Sequence, residues 1–218
     1  VPIAIAHRAP SSATRCAELL ALGATVFEID VQAVGPDLVS SHFLPITAVL
    51  PRLRRDGLAL TWRRRDPREI ALAEAVAVIP RPARILLDLK TDTGAAAEAL
   101  VEAVATAGLE PGRFLVSTRG WHTLAALRGH GYPVWRTVAD EAALRAVLRL
   151  DAVPDAALTV AHNLLSGPVV AALQTRAPAV MAWTVNDLDR ARRLLDLGVD
   201  GITSDRPEVL REVAATRR

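Results

Sequence analysis

Cysteine and lysine are almost missing from this chain, each present once, as Cys16 and Lys90. A lone thiol can form neither an internal disulfide nor a thiolate zinc cluster. Although 51% of the residues are apolar, no uncharged apolar run reaches the roughly 18 residues that a bilayer requires. The opening VPIAIAHR is too brief for a secretory leader and lacks its charged leading segment. These absences make a cytoplasmic location the expectation, with a leader removed upstream left open. No aromatic residues interleave with the arginines in a way that would stack bases, which argues against nucleic acid as a partner. The net charge is only +2, and Lys90 stands among 26 basic residues that are otherwise all arginine. That bias reflects composition more than function, but it draws attention to the one position that kept an ammonium.

What is present is a rhythm. Short runs of Val, Ile and Leu alternate with longer Ala, Leu and Arg segments of helical period, the pattern of repeated βα units around a parallel sheet. Eight strands are predicted, at Ile3–Ala6, Val26–Val31, Ile85–Leu89, Phe114–Ser117, Val134–Thr137, Leu158–Ala161, Val180–Val185 and Gly201–Thr203. A helix is expected after each. Asp187 is placed to cap the segment that Gly198 ends, and Pro207 opens the last helix. Eight such units in 218 residues predict an α/β chain folded as a single (β/α)8 TIM barrel, one domain over 1–218. The 53 residues between Val31 and Ile85 exceed what one crossover helix needs. An insertion is therefore expected after the second strand: an extended piece at Leu38–His42, an Arg-rich stretch, then a helix over Arg68–Val78. Its seven arginines between 52 and 68 form a basic surface, for which solvation is a plainer explanation than ligand steering.

In such a barrel the reactive groups come from the C-terminal ends of the strands. His7 and Arg8 end the first strand, Glu28 and Asp30 lie near the end of the second, Asp88 and Lys90 end the third, and Trp183 and Asp205 close the seventh and eighth. Side chains alternate across a strand, so Glu28 and Asp30 share a face, as do Asp88 and Lys90. Three carboxylates that converge on one mouth repel each other and resist burial. They either hold a hard divalent cation, for which all-oxygen donors favour Mg2+ or Ca2+, or pair with Arg8 and Lys90 as a cluster of salt bridges. His7 and His42 are candidate proton carriers, because imidazole titrates near neutrality. Ser117 and Arg136 are second-rank candidates for the pocket, His162 is a candidate lining residue rather than a catalyst, and Trp62, Trp121 and Trp135 are candidate pocket walls for which packing is the commoner role.

These residues resemble the glycerophosphodiester phosphodiesterase family, one of the phospholipase C-like barrel phosphodiesterases. IAHR at 5–8 is similar to the family's His-Arg opening, FEIDVQ at 27–32 to its Glu-x-Asp strand, and ILLDLK at 85–90 to its acid-x-Lys strand. His42 falls where the second family histidine is expected, and AWTVND at 182–187 with GVDGITSDRP at 198–207 resembles the C-terminal portion. The resemblance implies hydrolysis of a small phosphodiester substrate, a glycerophosphodiester, to glycerol 3-phosphate and an alcohol. It assigns the divalent metal to Glu28, Asp30 and Asp88, acid and base work to His7 and His42, phosphate contacts to Arg8 and Lys90, and the pocket wall to Trp183. There are departures: APSSAT at 9–14 replaces the family's Pro-Glu-Asn-Thr, Phe43 follows His42 where an Asp is usual, and Asp88 stands for a Glu. A shorter acid there predicts a closer strand or a bridging water. DLKT at 88–91 resembles instead the sphingomyelinase D-like phospholipases, so a lyase that acts on lipid headgroups, or a barrel that only binds a phosphorylated ligand, are the alternatives.

Overall fold

The computed structural model describes residues 1–8, 12–34, 37–40, 70–91 and 93–217. Strands β1 (Ile3–Ala6) and β2 (Val26–Val34) are followed by two short pieces, β3 (Asp37–Ser40) and β4 (Ile70–Ala71). Six more follow: β5 (Arg84–Leu89), β6 (Phe114–Thr118), β7 (Val134–Val138), β8 (Ala157–Ala161), β9 (Val180–Trp183) and β10 (Gly201–Ser204). β1 pairs in parallel with both β10 and β2, and parallel pairing continues from β2 through β5 to β10. Eight parallel strands thus close into a (β/α)8 barrel with no free edge.

The helices are α1 (Ala13–Ala21), α2 (Leu72–Ala77), α3 (Gly94–Thr106), α4 (Trp121–Gly129), α5 (Glu141–Leu148), α6 (Gly167–Gln174), α7 (Leu188–Asp196) and α8 (Pro207–Ala215). Their starts are written in the sequence. Ser12, Thr93, Asp140 and Asp187 each accept a hydrogen bond from the backbone N–H three residues on, worth roughly 1 kcal/mol apiece. Proline opens α6 and α8, where its missing N–H costs nothing. α7 buries Ala191, Leu194 and Leu195 against the barrel and turns Arg192 and Arg193 outward. Among the described residues no helix is long and apolar enough to cross a membrane.

Strand alternation divides the apolar residues into two cores. Phe27, Ile29, Ile85, Leu87, Phe114 and Val116 face out into the helix layer, and burying each such side chain contributes roughly 1.5–3 kcal/mol. Ile5, Val26, Leu86, Leu115, Trp135, Ala157 and Met181 face in and plug the floor of the barrel. Gly201 belongs to that floor for want of a side chain: a Cβ there would lie 2.6 Å from Met181 Sδ and 2.8 Å from Ile3 O.

The insertion departs from expectation. β3 runs antiparallel to β2, with Gln32 opposite Val39, as the extended piece at 38–42 foreshadowed for its first residues. Ile70 and Ala71 then pair with Ser40 and Val39, so they are strand and the helix expected over Arg68–Val78 begins only at Leu72. The open edge of β3 offers backbone hydrogen bonds that outweigh the helical tendency of this stretch. β9 also stops at Trp183 rather than Val185. His42, Phe43, Trp62 and the Arg-rich stretch 52–68 lie outside the described residues.

Candidate active site

Except on β9, where Met181 is followed by Trp183, each inward-facing floor residue is succeeded, one step up its strand, by a polar one. On β1, β2 and β5 the steps are Ile5 to His7, Val26 to Glu28 and Leu86 to Asp88, with Asp30 and Lys90 one step higher. His7, Arg8, Glu28, Asp88, Lys90 and Trp183 line a cavity of about 370 Å³ whose base is Leu86. Asp30 is 4% exposed, behind Arg8 and Lys90.

The three acids meet. Asp30 and Asp88 are register partners on β2 and β5, and Glu28, Asp30 and Asp88 each present an oxygen within 4.8 Å of the others. The shorter Asp88 reaches the group because its strand is the direct neighbour of β2. Lys90 Nζ lies 2.6 Å from Asp30 Oδ1 and also contacts Asp88. Arg8 Nε donates to Asp30 Oδ2 at 3.2 Å, and Ser117 Oγ donates to Asp88 Oδ1 at 2.8 Å. Arg8 has φ +48°, a left-handed conformation that costs a non-glycine residue roughly 1–2 kcal/mol. That turn aims its backbone N–H at Glu28 Oε2, 2.9 Å away, and strain of this kind gathers at functional sites.

The charges are unevenly compensated. Burial pushes the Glu28 carboxyl well above its ordinary range, and the negative Asp30 and Asp88 push it further. Burial acts the same way on Asp30, but Lys90 and Arg8 beside it outweigh the effect and hold it below the usual value. For Lys90 burial favours the neutral amine, yet Asp88 and Asp30 more than offset this and raise its pKa. The Arg8 N–H and Lys90 favour the Glu28 charge but do not offset burial and the two neighbouring acids, so that charge is left under-compensated. A hard divalent ion at these oxygens would supply the missing positive charge, and the all-oxygen donor set fits Mg2+ or Ca2+.

His7 has a partner that sequence reasoning left without a role. Its Nδ1 lies 2.7 Å from Asp205 Oδ1, and Asp205 is held in turn by Asn186 Nδ2, which donates to Oδ2 at 2.7 Å. Asn186 Oδ1 accepts from Ser204 Oγ and from the Asp205 N–H. Burial works against the Asp205 charge, but the bonds from Asn186 and His7 prevail and keep its pKa low. An ionised carboxylate only accepts, so it fixes the proton on Nδ1 and leaves Nε2 as the nitrogen turned to the acids. Nε2 lies 3.9 Å from Glu28 Oε2. Asp205 is 198 residues from His7 in sequence, and only barrel closure, with β10 beside β1, unites them. The available signal was its position two residues beyond inward-facing Thr203.

The second-rank candidates separate. Ser117 lines the cavity. Arg136 does not: it alternates with inward-facing Trp135 and Thr137, so it turns out into the helix layer, donates to buried Asp155 at 2.6 Å and stacks 4.2 Å over Trp121. Trp135 is part of the floor rather than a wall. His162 is not among the residues that line the cavity; its carbonyl accepts from Arg190.

The sequence model of the family described as "Glycerophosphoryl diester phosphodiesterase family" matches residues 83–209, more than half of the chain. A Mycobacterium tuberculosis protein named "Probable glycerophosphodiester phosphodiesterase 2" is 34% identical over 97 residues, covering 44% of this chain and 33% of that protein. The match thus spans about a third of that relative's length. Among solved structures, an Oleispira antarctica phosphodiesterase in complex with the product sn-glycerol-3-phosphate superposes with TM-score 0.70 at 23% identity, over 99% of this chain and 98% of that one. A glycerophosphodiester phosphodiesterase from Thermotoga maritima superposes with TM-score 0.68 at 18% identity, over 97% of this chain and 98% of that one. The chain belongs to the glycerophosphoryl diester phosphodiesterase family.

Proposed function

We propose that this protein is a metal-dependent phosphodiesterase that cleaves glycerophosphodiesters to glycerol 3-phosphate and an alcohol, with the whole chain acting as one domain. The observation that carries this reading is the meeting of Glu28, Asp30 and Asp88 within 4.8 Å, beside a histidine whose tautomer Asp205 sets. Family membership and the sn-glycerol-3-phosphate held by the Oleispira antarctica phosphodiesterase support the substrate class.

In this reading Glu28, Asp30 and Asp88 hold Mg2+ or Ca2+. The bound ion supplies Lewis-acid stabilisation of charge on a phosphoryl oxygen. Arg8 and Lys90 hold the phosphate oxygens as fixed positive groups at the cavity wall, a preorganised arrangement that favours the more charged transition state. Trp183 confines the substrate on the opposite side. His7 moves a proton at Nε2, and His42, outside the described residues, is assigned the complementary transfer.

The test is incubation with a panel of glycerophosphodiesters under Mg2+, Ca2+ or Mn2+. Glycerol 3-phosphate should appear with at least one of them and vanish with a chelator. No release from any diester under any of the three ions would remove this function.

A further inference from the structure

Among the described residues, the arginines and lysine that line the cavity are Arg8, Lys90 and Arg119. Two of them are engaged: Arg8 by Asp30, and Lys90 by Asp30 and Asp88. Arg119 is exposed and meets no carboxylate among the described residues. Asp88 and Ser117 are register partners on β5 and β6, and two residues beyond them stand Lys90 and Arg119. The barrel thus sets a paired ammonium on one strand end and an unpaired guanidinium beyond the next. From β6 to β10 no carboxylate lines the cavity among the described residues, so nothing on that half of the mouth offers Arg119 a counter-charge. The turn that carries it is fixed on both sides. Thr118, 1% exposed, accepts at Oγ1 from the Gly120 N–H at 3.3 Å. Trp121, which does not line the cavity, stacks 4.2 Å from the Arg136 guanidinium, itself held 2.6 Å from buried Asp155. A fixed turn lowers the cost of ordering this part of the wall around a ligand.

We propose that Arg119 is a specificity residue that favours diesters whose alcohol carries a second anionic group, a carboxylate or a phosphate. This rests on the phosphodiesterase reading and adds to it the charge of the alcohol. Glycerol is neutral, so a second anion comes only from the other arm. A guanidinium presents parallel N–H donors that match either anion, and the hydroxyls beside it, Ser117 and Thr118, add no opposing charge. An ammonium arm meets Arg119 as a like charge and is disfavoured. Water reaches the guanidinium, so the contact changes affinity a few-fold rather than by orders of magnitude. Arg119 acts on binding, not on the bond that breaks.

The probes are two glycerol phosphonates whose second arm is a carbon-linked chain, ending in a carboxylate in one and a carboxamide in the other. The arms match in length and shape, and the P–C bond is not hydrolysed, so calorimetry with Mg2+ or Ca2+ present reads binding without turnover. The carboxylate should bind about fivefold more tightly. Arg119→Gln should bring the two within about twofold, and Arg119→Glu should reverse their order. Salt makes the same test without a variant: between about 0.1 M and about 1 M the screening length falls from about 10 to about 3 Å, and the preference should narrow to within about twofold. Equal binding by the unaltered protein, binding of neither phosphonate, or a preference that survives Arg119→Gln or high salt overturns the proposal. Hydrolysis of the glycerophosphodiester panel separates the two readings. Turnover of those diesters without a carboxylate preference sinks the role of Arg119 alone, whereas the preference without turnover of any diester sinks the phosphodiesterase alone.

Discussion

The two halves of the barrel rim rest on the same apolar floor and do opposite things with it. β1, β2 and β5 place His7, Glu28 and Asp88 above Ile5, Val26 and Leu86, while β6, β7, β8 and β10 place Ser117, Thr137, Thr159 and Thr203 above Leu115, Trp135, Ala157 and Gly201. One half concentrates charge that must be balanced, and the other offers hydroxyls that need only a hydrogen-bonding partner. The strand period is identical in both, so the difference in chemistry is carried by one or two inward residues per strand. A phosphodiester has the same division, an anionic centre with a neutral arm.

If the charged half does the chemistry, the largest effect belongs to His7. His7→Ala should lower kcat about a thousandfold, within the range for a lost acid or base, with the far-ultraviolet dichroism and melting temperature retained; a loss below tenfold breaks the assignment. Asp205→Asn keeps the shape but can donate to Nδ1, which disturbs the tautomer. A loss of about a hundredfold in kcat is expected, with KM little changed, as for other orienting partners of histidine. Equal turnover would make the His7–Asp205 pair structural only.

Lys90 sharpens the comparison from within the charged half. Its ammonium already sits on Asp30 and Asp88, so Lys90→Met should bind Mg2+ or Ca2+ more tightly, about tenfold by removal of a competing charge, yet turn over less because a phosphate contact is gone. Weaker metal binding would mean that the lysine helps to hold the ion site rather than competes for it.

The smallest effect is on pH dependence. Glu28 binds its proton more tightly folded than unfolded, so its contribution is full below the ordinary value of 4.5 and is lost as pH rises from there through the raised folded value. Asp30 and Asp205 run the other way: lowered from 3.8, they stabilise above that value and cease to as pH falls through their folded values. Metal-free protein should therefore lose melting temperature as pH rises above 4.5, and Glu28→Gln should flatten that slope. An unchanged slope in the variant would place the titration elsewhere.

How much of this was legible follows the range of the interactions. Period-two alternation in FEIDVQ and ILLDLK is local, and it gave the strands and the shared face of the acids directly. The same rule, applied through to Val134–Val138, puts Thr137 inward and Arg136 outward; proximity to a strand end misplaced Arg136. The pairing of His7 with Asp205 depends on closure between the first and last strands, which no window of sequence contains. β4 was hidden for a related reason, because Ile70 and Ala71 become strand only once β3 supplies an edge. The site assigned to His42 lies outside the described residues.

Calorimetric titration of Mg2+, Ca2+ and Mn2+ into metal-stripped protein, repeated with Glu28→Gln and Asp88→Asn, reaches the cluster itself. One saturable site per chain for at least one ion, weakened by both substitutions, is the predicted result. Absence of saturable binding for all three, or affinity untouched by either change, would contradict the assignment of these oxygens to a cation.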